Sequence, residues 1–180
     1  MSLTNIEIEE LAKRLNVPLE RCCFKTELDE EPLVYNRSYI INMEDEFDSN
    51  GVRNKGSHYT AFQVNKYVNG KIEAIYFDSF GVGCPNEVLK FCKLKTIPYN
   101  TKDIQSLMNE ACGWYCLAFL HYINVYPQRT QSLYDDCEHF TDLFNDLNKS
   151  TDFKYNEWML KLFFQSSNKE LRNKNPINPF

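Results

Sequence analysis

Residues 105–123 read Gln-Ser-Leu-Met-Asn-Glu-Ala-Cys-Gly-Trp-Tyr-Cys-Leu-Ala-Phe-Leu-His-Tyr-Ile. The second half of this stretch predicts a buried helix. Cys112, Cys116, Phe119, Leu120 and Ile123 recur at helical period as one apolar stripe. Cys112 falls where that helix begins, after the polar Asn109 and Glu110. A thiol there feels the partial positive charge of the helix N-terminus, which favours the thiolate. Gly113 has no Cβ, so a substrate backbone could approach it closely. Gln105, on the loop upstream, can aim a side-chain N–H at the same place. These are parts of a cysteine nucleophile with half an oxyanion hole. A cysteine at the start of an apolar helix is more often a small core residue. The reading therefore turns on whether the chain also supplies a base and a group to orient it.

Working outward, His58-Tyr-Thr-Ala-Phe-Gln-Val64 and Lys71-Ile-Glu-Ala-Ile-Tyr-Phe-Asp78 have strand character, with Val68-Asn69-Gly70 between them. A hairpin is expected, and its turn type decides the chemistry. A two-residue Asn-Gly turn would pair Ala61 with Asp78 and put His58 and Asp78 on opposite faces. A three-residue loop, with Gly70 left-handed as a bulge, shifts the pairing by one. Thr60 then opposes Asp78, and His58 becomes its diagonal neighbour, about 7–8 Å away at the backbone. The three-residue loop is the expectation, because it lets the Asp carboxylate hold the His ring. Taken singly, His58 is an ordinary strand-end histidine and Asp78 a turn-starting aspartate. Taken with Cys112 and Gln105, they complete a nucleophile, base, orienter and oxyanion donor.

The rest of the chain bounds this reading. Its 180 residues, 43% hydrophobic, can bury one sizeable core. No apolar run approaches the roughly 20 residues that span a bilayer, and the acidic N-terminus is unlike a signal peptide. Seven cysteines without a Cys-x-x-Cys pair argue against a disulfide framework and for a reducing compartment. A net charge of −5 argues against general nucleic-acid binding. The close pairs Cys112/Cys116 and Cys137/His139 lie on apolar helical stripes without zinc-ligand spacing, so no metal site is expected; His121 and His139 read as packing or surface residues. A helix from about Thr4 to Asn16 carries a capping box, Thr4 with Glu7, and Pro18 ends it. Cys22 and Cys23 follow in a loop. Leu33–Met43 holds one strand or two, and Glu44–Lys55 is a polar surface loop. Pro85–Phe91 suits a short helix and Leu94–Tyr99 a third strand. Tyr126-Pro127 closes the central helix, and Ser132–Leu147 and Glu157–Phe164 are further helices. Cys22, Cys23, Cys84, Cys92 and Cys137 receive no role. Residues 1–165 form a single domain of the α+β class, and 166–180 form a polar tail.

In motif and order the chain resembles the adenovirus maturation protease (adenain) family of cysteine proteases. The resemblance is carried by Gly56-Ser57-His58-Tyr59-Thr60-Ala61-Phe62, then Tyr76-Phe77-Asp78-Ser79-Phe80-Gly81, then Gln105, and Ala111-Cys112-Gly113-Trp114-Tyr115-Cys116 with Phe119-Leu120-His121. It implies a papain-like, ubiquitin-like-protein-protease-like fold: a central mixed sheet flanked by helices, with the nucleophile at a helix N-terminus. It also implies a cysteine endopeptidase that cleaves viral capsid precursors during virion maturation, in the virion and in the infected-cell cytoplasm or virus factory. Cys112 is then the nucleophile, His58 the base, Asp78 its orienter and Gln105 an oxyanion donor. A preference for small residues beside the cut implies a narrow cleft walled by Tyr59 or Trp114. The departures matter. The acid is Asp78 where adenoviral enzymes carry Glu, as in the related ubiquitin-like-protein proteases, and Ser79 replaces Pro. The chain is shorter and acidic, so the adenoviral DNA cofactor is not carried over. The cysteine that joins the family's peptide cofactor has no match, which leaves a peptide activator open. Size and charge point to the virophage- or Polinton-type branch, acting as a monomer. Two other enzymatic readings use the same site: a deconjugating isopeptidase for a ubiquitin-like modifier, and an acetyltransferase. A capsid- or scaffold-binding module that kept the fold is the non-enzymatic reading.

Overall fold

The computed structural model describes residues 2–125 and 132–170. Thr4 caps α1 (Asn5–Arg14) through a reciprocal capping box with Glu7, as the spacing predicts. The helix ends earlier than Pro18. Leu15 is its C-cap, and Asn16 turns the chain out with a φ of 55°.

Four strands follow in sheet order β1 (Leu19–Phe24), β2 (Arg37–Asn42), β3 (Tyr59–Lys66) and β4 (Ile72–Phe77). β1 runs parallel to β2, and the other two pairs are antiparallel, so the sheet is mixed. Successive side chains point to opposite faces, and here both faces are covered. Cys22, Ile40, Ala61, Ile75 and Phe77 join one core; Cys23, Tyr39, Ile41, Phe62 and Tyr76 join the other. This corrects the loop expected at Cys22 and Cys23. They lie in β1, one on each face, and a strand buried on both sides shows no apolar/polar alternation to betray it. The third strand expected at Leu94–Tyr99 reduces to a single parallel bridge, Tyr76 with Tyr99.

The β3–β4 hairpin closes with the three-residue loop. The Tyr67 N–H donates to Lys71 C=O at 2.9 Å and the Gly70 N–H to Tyr67 C=O at 2.8 Å, with Gly70 at a φ of 83°. The register pairs Ala61 with Phe77. One residue further, Thr60 opposes Asp78, as expected.

The second core is roofed by α2 (Asn86–Cys92) and the 3-10 turn Lys25–Glu30. The first is larger. It holds α1, α3 (Cys112–Val125), α4 (Leu133–Thr141) and α5 (Phe153–Glu170). Helix α3 is buried on all sides from Cys112 to His121, not along one stripe. Phe119 stacks on Phe77 of β4 at 4.5 Å, and Phe140 of α4 meets both edge-on. On α5, Leu160 and Phe164 face the core, whereas Trp158 and Leu162 stand in solvent. Helix α5 starts four residues before the expected Glu157 and continues past the expected domain end at 165. Tyr126-Pro127 and residues 171–180 of the expected tail lie outside the described residues.

Gly70 offers a clean test of the hairpin. A Cβ there meets nothing within 4 Å, so only backbone strain opposes it. Gly70→Ala is expected to lower unfolding free energy in urea by about 1–2 kcal/mol, the cost of a left-handed Ala.

Candidate active site

His58 stands at the entry to β3. Its approach is set by Asn42, whose Oδ1 accepts the N–H groups of Ser57 at 3.2 Å and Glu44 at 3.0 Å. Gly56 leaves room for that side chain: a Cβ there would fall 2.2 Å from Asn42 Nδ2. His58 C=O continues the sheet by accepting from Met43 N–H. The ring leans over Phe80, with centroids 4.7 Å apart.

Asp78 follows β4 and is buried. Its Oδ1 accepts His58 Nε2 at 2.9 Å and Phe80 N–H at 2.8 Å. The backbone of Asp78 is held on both sides by Asn100. Asn100 Oδ1 accepts the Asp78 N–H at 3.0 Å, and its Nδ2 donates to the Asp78 carbonyl at 2.7 Å. Asn100 thus replaces a neighbouring strand at the sheet edge, just beyond the Tyr76–Tyr99 bridge. The turn closes with Gly81 N–H on Asp78 C=O, where a φ of 71° and a Thr101 carbonyl 2.8 Å from any Cβ leave room only for glycine.

Cys112 is the first residue of α3. Its N–H and those of Gly113 and Trp114 belong to the first turn, which has no intrahelical acceptors. Tyr115 N–H makes the first helical bond, to Ala111 C=O. One turn further, Cys116 Sγ donates to Tyr59 C=O at 3.4 Å, which fixes the height of α3 against the strand that begins beside His58. With Nε2 on Asp78, the other ring nitrogen of His58 is the one available to the Cys112 thiol, with which the ring interacts electrostatically. Burial alone pulls His58 down. The hydrogen bonds and charges of Asp78 and Cys112 outweigh it and raise the imidazole to about 9. The ring is therefore an imidazolium at neutral pH.

Gln105 is buried. Its Nε2 donates to Asn109 C=O at 2.9 Å and its Oε1 accepts the Ser79 hydroxyl at 2.7 Å. The loop from Gln105 to Cys112 is pinned at several points. Asn109 Oδ1 accepts Ala111 N–H, Asn109 Nδ2 donates to Glu157 of α5, and Ile104 C=O takes both Tyr115 Oη–H and Asn156 Nδ2–H. Between the pins, Leu107 and Met108 stand 84% and 90% exposed.

Of the four residues expected to carry chemistry, His58 is hydrogen-bonded to Asp78 and interacts with Cys112, and Gln105 is tied to the Asp78 turn through Ser79. The three expected to touch substrate are turned to packing instead. The space left by the missing Cβ of Gly113 is filled by Ile8 and Leu3 at 3.3–3.4 Å. Trp114 is buried edge-on against Phe164, and Tyr59 is buried with its hydroxyl on Asn5 Oδ1 at 2.6 Å. Gly113 and Tyr59 seat the N-terminal segment and α1, and Trp114 packs α3 against α5. The aromatic ring beside the site is Phe80. Sequence reasoning passed over Asn100, Ser79, and the exposed Leu107-Met108 pair. An exposed apolar dipeptide between two candidate catalytic residues was the available signal; for Asn100 there was none.

The seven cysteines are free. Burial pushes Cys23 up to about 11 and Cys84 and Cys92 to about 12, and drives Cys22, Cys116 and Cys137 upward as well. His121 packs under α1, with Nδ1 on Leu15 C=O at 3.0 Å. Among the described residues, the one group with metal-ligand chemistry is Glu27, Glu30 and Glu46, and Arg21 and Arg53 answer its charge. No described helix is long and apolar enough to cross a membrane. Neither a protein-family model nor a curated protein matches this sequence.

The imidazolium has a measurable signature. The folded value of about 9 exceeds the ordinary 6.5, so the stabilisation it contributes is full below about pH 6.5 and is lost as pH rises through about 9. In NMR titrations the His58 ring is expected to titrate near 9. In Asp78→Asn, which removes the charge that raises it, the midpoint is expected to fall.

Proposed function

We propose that the chain is a cysteine endopeptidase working through Cys112, His58, Asp78 and Gln105. One observation carries the reading: His58 Nε2 is held 2.9 Å from the Asp78 carboxylate, and the same ring interacts with the Cys112 thiol at the start of α3. That order of acid, imidazole and thiol is what nucleophilic acyl transfer requires.

The cycle begins with a thiolate on Cys112 and a proton on both ring nitrogens of His58. The sulfur attacks the scissile carbonyl, and its oxygen becomes an oxyanion. The Cys112 backbone N–H and the second N–H of Gln105 Nε2 receive that charge. As the C–N bond breaks, His58 gives its proton to the leaving amine. A thioester remains on Cys112. Water, deprotonated by His58, attacks it, the acid departs, and the thiolate–imidazolium pair is restored. Asp78 stabilises the imidazolium without taking its proton. An extended peptide entering the site meets the exposed Leu107 and Met108, so an apolar residue near the cut gains burial there.

The adenain-like fold and the role in capsid maturation rest on the motif resemblance. The α+β architecture with a mixed sheet and a nucleophile at a helix N-terminus supports them. The test is cleavage of capsid precursors from virophage- and Polinton-type elements, read by mass spectrometry, beside an isopeptide-linked modifier ending in Gly-Gly. Discrete precursor cuts by the wild type, abolished in Cys112→Ala, are expected. Gln105→Ala is expected to lower turnover about 10²–10³-fold. Cleavage of the modifier alone moves the assignment to deconjugation, the choice that Asp78 in place of Glu favours. Cutting that survives Cys112→Ala overturns the reading.

A further inference from the structure

A carboxamide is a useful oxyanion donor only in one orientation. Rotated by half a turn, it presents an oxygen to the developing negative charge and repels it. Gln105 is fully enclosed, so its two ends must each find a partner inside the protein. The Asn109 carbonyl can only accept, and it takes one Nε2 hydrogen at 2.9 Å. At the other end, the hydroxyl of buried Ser79 donates to Oε1 at 2.7 Å. In the rotated state two carbonyl oxygens, of Gln105 and Asn109, would face each other, while the Ser79 hydroxyl would turn to accept an N–H; the Asn109 carbonyl therefore sets the orientation and Ser79 anchors the other end.

Ser79 grips the same residue a second time. Its carbonyl accepts the N–H of Ile104 at 2.8 Å and of Gln105 at 3.2 Å. Backbone and side chain of Gln105 are thus both referenced to Ser79, which is covalently next to Asp78. The hydrogen bond into Oε1 also polarises the amide and strengthens its N–H groups as donors.

We infer that Ser79 is a positioning residue: its hydroxyl anchors the Gln105 carboxamide, whose N–H end the Asn109 carbonyl orients, and ties that donor to the turn that carries Asp78. The inference rests on the endopeptidase reading, but the latch has its own readout.

The first measurement is hydrogen exchange of the Gln105 side-chain amide by NMR, assigned by its disappearance in Gln105→Ala. The hydrogen held by the Asn109 carbonyl is expected to be protected, and Ser79→Ala to speed its exchange about tenfold, the factor one hydrogen bond contributes. A wild-type amide that exchanges as freely as an exposed glutamine, or one that Ser79→Ala leaves unchanged, overturns the latch. The second measurement is kinetic. Ser79→Ala is expected to lower kcat about 10- to 100-fold with little change in KM, as misplacement of a catalytic group does. In a Gln105→Ala background it is expected to add nothing. Equal losses in both backgrounds overturn the positioning role and leave Ser79 as packing. A protected, Ser79-dependent amide in a chain whose wild type cuts no peptide overturns the endopeptidase reading instead, so the two failures are distinct.

Discussion

Helix α3 has no solvent-facing side over its first ten residues, and the rest of the structure follows from that. A helix apolar all round must be enclosed. The sheet covers it on one side, through Ala61, Ile75 and Phe77, and α1, α4 and α5 close the others. Enclosure fixes α3 in every direction, and Cys116 on Tyr59 C=O fixes its height. At its N-terminus, first-turn N–H groups that have no intrahelical acceptors concentrate positive potential. A thiol placed there gains a reactive environment from a constraint whose origin is packing. Even Gly113, beside the thiol, serves this packing by admitting Leu3 and Ile8.

Asp78 and Gln105 depend on a different device. β4 is an edge strand, and edges leave backbone groups unpaired. The segment from Pro98 to Gln105 runs along this edge. It supplies Pro98 C=O to Tyr76 N–H, both ends of the Asn100 amide to Asp78, and two N–H groups to Ser79 C=O. Side-chain and backbone bonds thus continue the ladder where regular pairing stops. The same bonds set the position of a buried carboxylate, which would be costly without partners. His58 then receives its charge from a group that cannot move.

The candidate site was more legible in the sequence than the architecture around it. His58, Asp78, Gln105 and Cys112 could be read because residue type and order restrict what they can do together. The hairpin register could be read because Gly70 allows the left-handed residue of a three-residue loop. β1 was hidden because a strand covered on both faces has no alternation, and adjacent Cys22 and Cys23 look like a loop. Gly113 and Trp114 were read as facing substrate because they follow Cys112, but in an enclosed helix the neighbours of the first residue point into the core. Tyr59 was read the same way as an aromatic beside His58, but in β3 it is buried with its hydroxyl on Asn5. Asn100 was invisible because its role comes from a sheet edge that only tertiary structure creates.

The central claim is that His58 makes Cys112 the reactive thiol of the seven. It is tested most directly by the rate of iodoacetamide modification at each cysteine, at pH 6 and in the folded state, followed by peptide mapping. The account predicts that Cys112 is modified well ahead of the six other thiols, whose pKa values burial pushes upward, and that His58→Ala slows it by at least an order of magnitude. A Cys112 that reacts no faster than the others, or one indifferent to His58→Ala, would contradict it.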